Sequence, residues 1–276
     1  MATKQDRPGR GDEGPSAYEK AALGGNDPRV VPLRLDGPVP EGDAIGYPSY
    51  SDEDQETWRT LYGRQLAVLR GRACDEYLQG LALMQFPEDR IPPLRDAGRV
   101  LERSTRWQIA RIPGLLHERD FFGFLARRVF PSTDYIRTRA ELDYTPAPDL
   151  FHDLFGHTPI ITLPAFADFY QEVGRAALFA EGPSRRRVER FYWFTVEFGL
   201  IHTATGLRIY GNGILSSFRE AQHSLTEAVE VRPFDPGLMV EQDYDVWHQQ
   251  PLLFAIDSFE QLQQGFRQWA GSEGLL

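Results

Sequence analysis

A single cysteine, Cys74, stands in 276 residues, so no disulfide can form within the chain and a thiolate metal cage is disfavoured. Long apolar runs are also missing. No stretch approaches the roughly 20 apolar residues that span a membrane. The opening MATKQDRPGRGDEG lacks the apolar core of a secretory signal. A cytoplasmic protein with no membrane partner is therefore expected. Nor is there an excess of positive charge: 30 Lys and Arg face 40 Asp and Glu, a net charge of −10 and a pI near 5.2. That balance argues against nucleic acid as a partner, since phosphates demand a basic surface. Gly211 and Gly213 in YGNG lack the third glycine and the βαβ context of a dinucleotide fingerprint, and no GxxxxGK occurs. Nicotinamide dehydrogenases and nucleotide hydrolases are disfavoured. Any catalysis must draw on histidine, carboxylates, hydroxyls or a cofactor.

The composition, 41% hydrophobic and 25% charged, is that of a globular protein large enough for one substantial core. Eight of the 25 glycines and seven of the 20 prolines fall within the first 50 residues. Residues 1–50 are therefore expected to form a flexible tail and, from Val30, an extended arm (VVPLRLDGPVP) lying along a catalytic domain of residues 51–276. After Tyr50 helical spacing takes over. Ser51 and Asp54 form a capping-box pattern, and Trp58, Leu61, Tyr62, Leu66 and Leu69 follow on one face. The helix continues or restarts through Tyr77, Leu78 and Leu81. Further helices are expected over Phe121, Leu125 and Val129, from Pro164 through Val173, over Val188 to Thr195, and behind Asp257 through Trp269. Short strands are expected around 207–215 and 229–233. The fold class is mainly α with small β-sheets.

Two of the six histidines, His152 and His157, sit in PDLFHDLFGHTP, where Asp149 suits an N-cap and Pro159 marks a helix end just before it. Positions i and i+5 on an ideal helix stand roughly 140° apart, so the two imidazoles converge only if the helix ends or distorts between them. Taken alone the pair is as readily a capping and a core histidine as a metal site. Glu197 shifts the balance, being the only charge from Phe191 to Ile201 in FYWFTVEFGLI. A buried carboxylate needs a partner or a metal, although a solvent-facing Glu197 would need neither. Two imidazoles and one carboxylate form the facial triad of non-heme iron oxygenases, and zinc in a hydrolase takes the same donors. The aromatic side chains around both segments favour a dry, oxidative pocket over a hydrolytic one.

PDLFHDLFGHTPIITLPAFADF, YWFTVEFGL and YGNGILSS, in this order, with GLLHERDFFGFLARRVF and YIRTRAELDYTPAPD before them, closely resemble the pterin-dependent aromatic amino acid hydroxylases. The resemblance runs from about Tyr50 through Phe259. It implies a helical catalytic domain in which His152, His157 and Glu197 hold Fe(II), and in which a tetrahydropterin co-substrate and O₂ supply the oxidant that attacks an aromatic ring. By the same resemblance Phe121 stacks on the pterin, Gly114, Leu116 and Glu118 meet its edge, and Tyr192 borders it. Asp153 replaces a Glu common in the family. Arg137 matches the residue for the substrate carboxylate, Thr145, Gly213 and Ser216 line the head group, and Pro148, Trp193 and Phe198 wall the ring pocket.

Trp193, where tryptophan hydroxylases carry Phe, and Val246, where tyrosine hydroxylases carry an acid, imply L-phenylalanine as substrate and L-tyrosine as product. Pro131 and Arg219 depart from the family pattern and leave another aromatic amino acid or another ring position as alternatives. With about 50 breaker-rich residues before the match, the resemblance implies a monomer. From the residue types alone, a zinc-dependent hydrolase remains the alternative of a different class.

Overall fold

The computed structural model describes residues 28–143, 145 and 147–276; most of the expected flexible tail lies outside them. The Ser51 capping box closes: Asp54 N–H donates to Ser51 Oγ at 3.2 Å and Ser51 N–H donates to the Asp54 carboxylate at 2.8 Å. Helix α1 (Asp52–Leu69) then buries Trp58, Leu61, Tyr62 and Leu69, as their spacing requires. The chain restarts as α2 (Asp75–Met84), with Tyr77 and Leu81 inside but Leu78 exposed. A helix absent from the sequence reading, α3 (Leu94–Thr105), faces Leu94, Ala97, Gly98, Leu101 and Thr105 inward at regular helical spacing.

The parallel strands β1 (Gln108–Ile112) and β2 (Val129–Thr133) flank α4 (Glu118–Ala126). The helix expected to carry Val129 stops earlier, because Arg128 takes a φ of 60°. Its guanidinium bonds Thr105 O and Gln171 Oε1, both at 2.9 Å, and Val129 opens the strand instead. Before this unit, residues 31–41 run beside it. His117 N–H donates to Leu33 O and Leu33 N–H to Leu115 O, while Arg111 N–H donates to Pro40 O, all at 2.8–2.9 Å.

His152–His157 form a π turn that passes without a break into α5 (Thr158–Ile161). The expected stop before Pro159 is therefore wrong. The helix tolerates Pro159 because Phe155 O, four residues earlier, accepts from the Tyr77 hydroxyl at 2.8 Å in place of the missing N–H. Helices α6 (Pro164–Phe179) and α7 (Pro183–Tyr192) follow, and α7 runs into a second π turn, Trp193–Glu197. The chain then turns into strand β3 (Gly199–Thr203) and its antiparallel partner β4 (Gly206–Ile209). The strand expected over 207–215 thus ends at Ile209, and α8 (Asn212–Ser216) and α9 (Phe218–His223) take its place.

Strand β5 (Glu230–Pro233), helix α10 (Pro236–Met239), strand β6 (Leu252–Ile256) and helix α11 (Phe259–Ser272) complete the chain. The four-stranded sheet has the order β4-β3-β6-β5, with β6 parallel to both neighbours. Ser258, rather than Asp257, caps α11 through Gln261 N–H. No described helix is long and apolar enough to cross a membrane.

Aromatic packing joins these layers around the π turns. Phe151 stacks on Phe155 with centroids 4.8 Å apart, and Phe166, Tyr170 and Phe191 are fully buried. Helix α2 approaches α5 so closely at Gly80 that a Cβ there would lie 2.0 Å from Pro159 O. Backbone cannot yield by that amount without moving the segment that carries both histidines. Gly80→Ala is expected to cost at least about 1–3 kcal/mol, the usual range for overpacking, measured as a lower midpoint in urea denaturation.

Candidate active site

The π turns solve the convergence problem posed by the i and i+5 histidines. A π turn closes on i+5 rather than i+4, so His157 returns to the face that His152 occupies. His157 Nε2 stands 3.0 Å from His152 Nε2 and 3.2 Å from Glu197 Oε1, and His152 Nε2 stands 3.8 Å from Glu197 Oε2. The second π turn, marked by Phe198 N–H donating to Trp193 O at 2.9 Å, delivers Glu197 from the other side. Glu197 is only 8% exposed, so the solvent-facing alternative does not hold.

The ring orientations come from neighbouring side chains. Ser216 Oγ–H donates to Asn212 O at 2.9 Å, and His152 Nδ1 stands 2.8 Å from Ser216 Oγ. With that hydroxyl proton committed, His152 Nδ1–H is the donor and its Nε2 lone pair faces the triad. His157 is sandwiched between Phe130 and Tyr170, with Nδ1 2.9 Å from the Asn212 amide and 3.3 Å from the Tyr170 hydroxyl. Tyr170 and Tyr192 hydroxyls meet at 3.0 Å, and Tyr192 donates to Glu197. Burial and the adjacent His157 push the His152 imidazole down to about 4. Burial pushes the Glu197 carboxyl up, but the two histidines and the Tyr192 hydroxyl outweigh it and hold it at about 2. Both groups are thus in their ligating forms at neutral pH. Metal bonds of about 2.1 Å at right angles set neighbouring donors about 3 Å apart. The three side chains fit one cation, and they are the only such cluster among the described residues.

Two cavities meet at this triad, and Pro148, His152, Trp193 and Glu197 line both. One, of about 130 Å³, is lined by Leu116, Glu118, Phe121, Asp153 and Tyr192, with Phe121 edge-on to Tyr192 at 5.7 Å. Gly114 lies outside this lining and packs beneath Leu33. Glu118 is ion-paired with Arg185 at 3.0 Å. Asp153 turns to Thr133, accepting from its N–H at 2.8 Å and its hydroxyl at 2.9 Å, and burial pushes its carboxyl up to about 7.

The second cavity, of about 240 Å³, gathers Arg137, Thr145, Pro148, Trp193, Phe198, Gly213 and Ser216, and Val246 borders it as well. Trp193 is locked by stacking on Phe198 at 4.5 Å and on Tyr244 at 4.2 Å, and by Nε1–H donating to Gln250 Oε1. Of the two departures from the family pattern, Arg219 lines this cavity and Pro131 lies in β2 opposite Ala110.

Arg137 would pass for a surface charge on sequence grounds, yet it is 6% exposed. Asp149, expected only to cap a helix, binds it: Nε and Nη2 both donate to the carboxylate at 2.8 Å, and Arg137 N–H adds a third bond. Asp149 also accepts from His152 N–H at 3.1 Å, which keeps its capping role. Sequence reasoning missed Tyr170, Asn212, Pro32 and Glu220. Pro32 is brought by the arm, which no local motif could announce, whereas Glu220 follows Ser217 in a capping pattern that concealed it.

Residues 38–273 match the family model described as biopterin-dependent aromatic amino acid hydroxylase. The chain belongs to this family. Among the hydroxylases it resembles, the phenylalanine-4-hydroxylase of Pseudomonas aeruginosa is 42% identical over 222 residues, covering 80% of this chain and 85% of that protein. The phenylalanine-4-hydroxylase of Chromobacterium violaceum is 44% identical over 215 residues, covering 77% and 72%. A crystal structure of the Chromobacterium violaceum hydroxylase with iron and phenylalanine bound superposes with a TM-score of 0.75 at 39% identity, covering 82% of this chain and 84% of that one. The phenylalanine hydroxylase of Legionella pneumophila gives a TM-score of 0.78 at 38% identity, covering 85% and 96%. The mainly helical hydroxylase fold expected from the motifs is thus the fold observed.

The buried Arg137–Asp149 pair makes a testable demand on stability. Arg137→Met strands the Asp149 carboxylate and is expected to cost about 3–5 kcal/mol in urea denaturation at pH 7; adding Asp149→Asn should recover much of it. Burial raises the Asp149 carboxyl, but Arg137 holds it below its ordinary value. The pair's contribution is therefore present above the unfolded carboxylate range near ~3.9 and lost as pH falls through the folded value. The difference between wild type and Arg137→Met should shrink on acidification.

Proposed function

We propose that this hydroxylase uses iron and a tetrahydropterin to hydroxylate the ring of L-phenylalanine, giving L-tyrosine. The observation that carries the reading is the placement of the His152, His157 and Glu197 cluster where two cavities of different chemistry meet, with His152 and Glu197 lining both. One is bounded by aromatic rings suited to a flat heterocycle. The other pairs a buried guanidinium with a Trp193 and Phe198 wall, as an aromatic amino acid needs. The relatives' activity on phenylalanine, and the iron bound by one of them, support the same choice over a zinc hydrolase.

The triad would hold Fe(II), which with pterin and O₂ supplies the oxidising chemistry. The protein's part is positioning. In this reading Phe121 stacks on the pterin, Tyr192 borders it, and Leu116 and Glu118 meet its edge, with Gly114 shaping the loop and Asp153 behind the ring. Arg137, held in plane by Asp149, presents Nη1 to the substrate carboxylate. Thr145, Gly213 and Ser216 surround the amino acid head group. Pro148, Trp193 and Phe198 hold the ring against the metal side and exclude water from it. Trp193 cannot swing aside while Phe198, Tyr244 and Gln250 fix it, which disfavours an indole; Val246 offers no charge to a phenolic substrate.

The test is reconstitution with Fe(II), tetrahydropterin and L-phenylalanine without oxygen, then exposure to air, with tyrosine isomers separated by chromatography. para-Tyrosine should appear in step with pterin oxidation. Glu197→Gln should weaken iron binding at least about 10-fold, as loss of one charged ligand implies, and abolish product. Activity with zinc and without oxygen, or wild-type rates in Glu197→Gln, would overturn the reading.

A further inference from the structure

Glu220 is the one carboxylate of the second cavity that neither a metal site nor an ion pair employs. It stands at the third position of α9, behind Ser217, whose Oγ accepts Glu220 N–H at 3.3 Å. Elsewhere in the chain the same sequence pattern closes on itself: Asp54 bonds Ser51 N–H, and Glu141 bonds Thr138 N–H. At Ser217 the backbone N–H donates instead to Ile214 O at 3.2 Å, so no return bond is made, and the Glu220 side chain lines the cavity that also holds Arg137. Among the described residues its Oε2 is buried without a hydrogen-bond partner. Its carboxylate accepts from the backbone N–H of Gln250, and burial outweighs that bond and pushes it up to about 7.

A buried carboxylate oxygen left unsatisfied is costly, and the cost is removed by a cation delivered from the cavity. The neighbouring cations do not serve: Arg137 commits Nε and Nη2 to Asp149, and Arg219 points to Asp143 at 4.0 Å from an exposed position. The ligand assigned to this cavity carries a carboxylate and an ammonium on one carbon. Arg137 matches the first.

We infer that Glu220 receives the α-ammonium of the substrate, so that Arg137 and Glu220 grip the two charges of a zwitterion and aim its side chain at the Trp193 and Phe198 wall. The inference rests on the amino acid reading of this cavity given above. It predicts how the enzyme rejects ring compounds that lack the amino group.

The experiment compares two ligands on ferrous protein under nitrogen by isothermal titration calorimetry: L-phenylalanine, and 3-phenylpropanoate, which lacks only the ammonium. Wild type should bind L-phenylalanine about 10- to 100-fold more tightly, the range for a hydrogen bond to a charged group. Glu220→Gln should weaken L-phenylalanine by a similar factor and leave 3-phenylpropanoate within about threefold, because an uncharged ammonium-free ligand end gains nothing from the carboxylate. Glu220→Ala, measured with the same pair, should show the same loss of discrimination and guards against misfolding of one variant. Equal losses for both ligands, unchanged discrimination, or a wild type that does not discriminate would overturn the inference. Failure of wild type to bind L-phenylalanine at all would instead overturn the substrate reading, and this inference with it.

Discussion

Three donor atoms must meet in a nearly dry pocket although they come from two segments forty residues apart, and the π turn is the device that makes this possible. An α-helix would send His152 and His157 to different faces; one added residue in the turn brings them back together. The turn is held open by what packs on it. A Cβ at Gly156 would lie 2.9 Å from Asn212 O and 3.3 Å from Ser216 Cβ, so α8 sits directly on the widened helix. That contact brings Ser216 to His152 and Asn212 to His157, which fixes both imidazole planes. Geometry at the metal thus depends on backbone contact between two short helices, and side-chain tuning follows from it.

The same core carries several buried charges, and those at Arg137, Asp149 and Glu197 are compensated locally. Arg137 and Asp149 form a bidentate pair at 6% and 0% exposure, and Glu197 is satisfied by two imidazoles and a phenol. A buried pair of this sort adds little net stability over apolar residues of equal volume. Its value lies in direction: Asp149 holds the guanidinium and His152 N–H at once, so Arg137 of the second cavity and His152 of the triad share one anchor. Glu220 differs because its second oxygen has no protein partner. A buried carboxylate oxygen left without a partner on the wall of a binding cavity points to a ligand that completes it.

Local patterns carried most of the long helices, α3 excepted, and the grouping of the triad residues. The Ser51 box, the Pro164 start and the aromatic faces of α6 and α11 depend on nearest-neighbour chemistry, which a sequence displays. Glu197 was legible because a single charge in an apolar run has few explanations. The π turns were not legible, since the added residue is imposed by tertiary contact and leaves no periodicity of its own. The strands β1, β2, β3 and β6 were missed for a related reason: each is five residues long, and their residues read equally well as helix ends. Arg137 shows the limit most plainly, since burial of a charge is decided by a partner twelve residues away.

The outer walls of the two cavities are built differently from the wall they share. Pro32, from the arm beside β1, closes the aromatic cavity, and residues 246–250, between α10 and β6, close the other. Neither segment carries a ligand of the triad, and Gln250 touches the second π turn at the Trp193 indole. Loops tolerate change where helices in contact do not. Substitution in the arm or in 246–250 therefore reshapes what each cavity admits while the donor geometry stays fixed. Trp193 is the point where this separation breaks down: it lies in the second π turn, four residues before Glu197, yet its indole is braced by Tyr244 and Gln250. A change in that loop reaches the triad through Trp193, which couples the choice of ring to the position of a metal ligand.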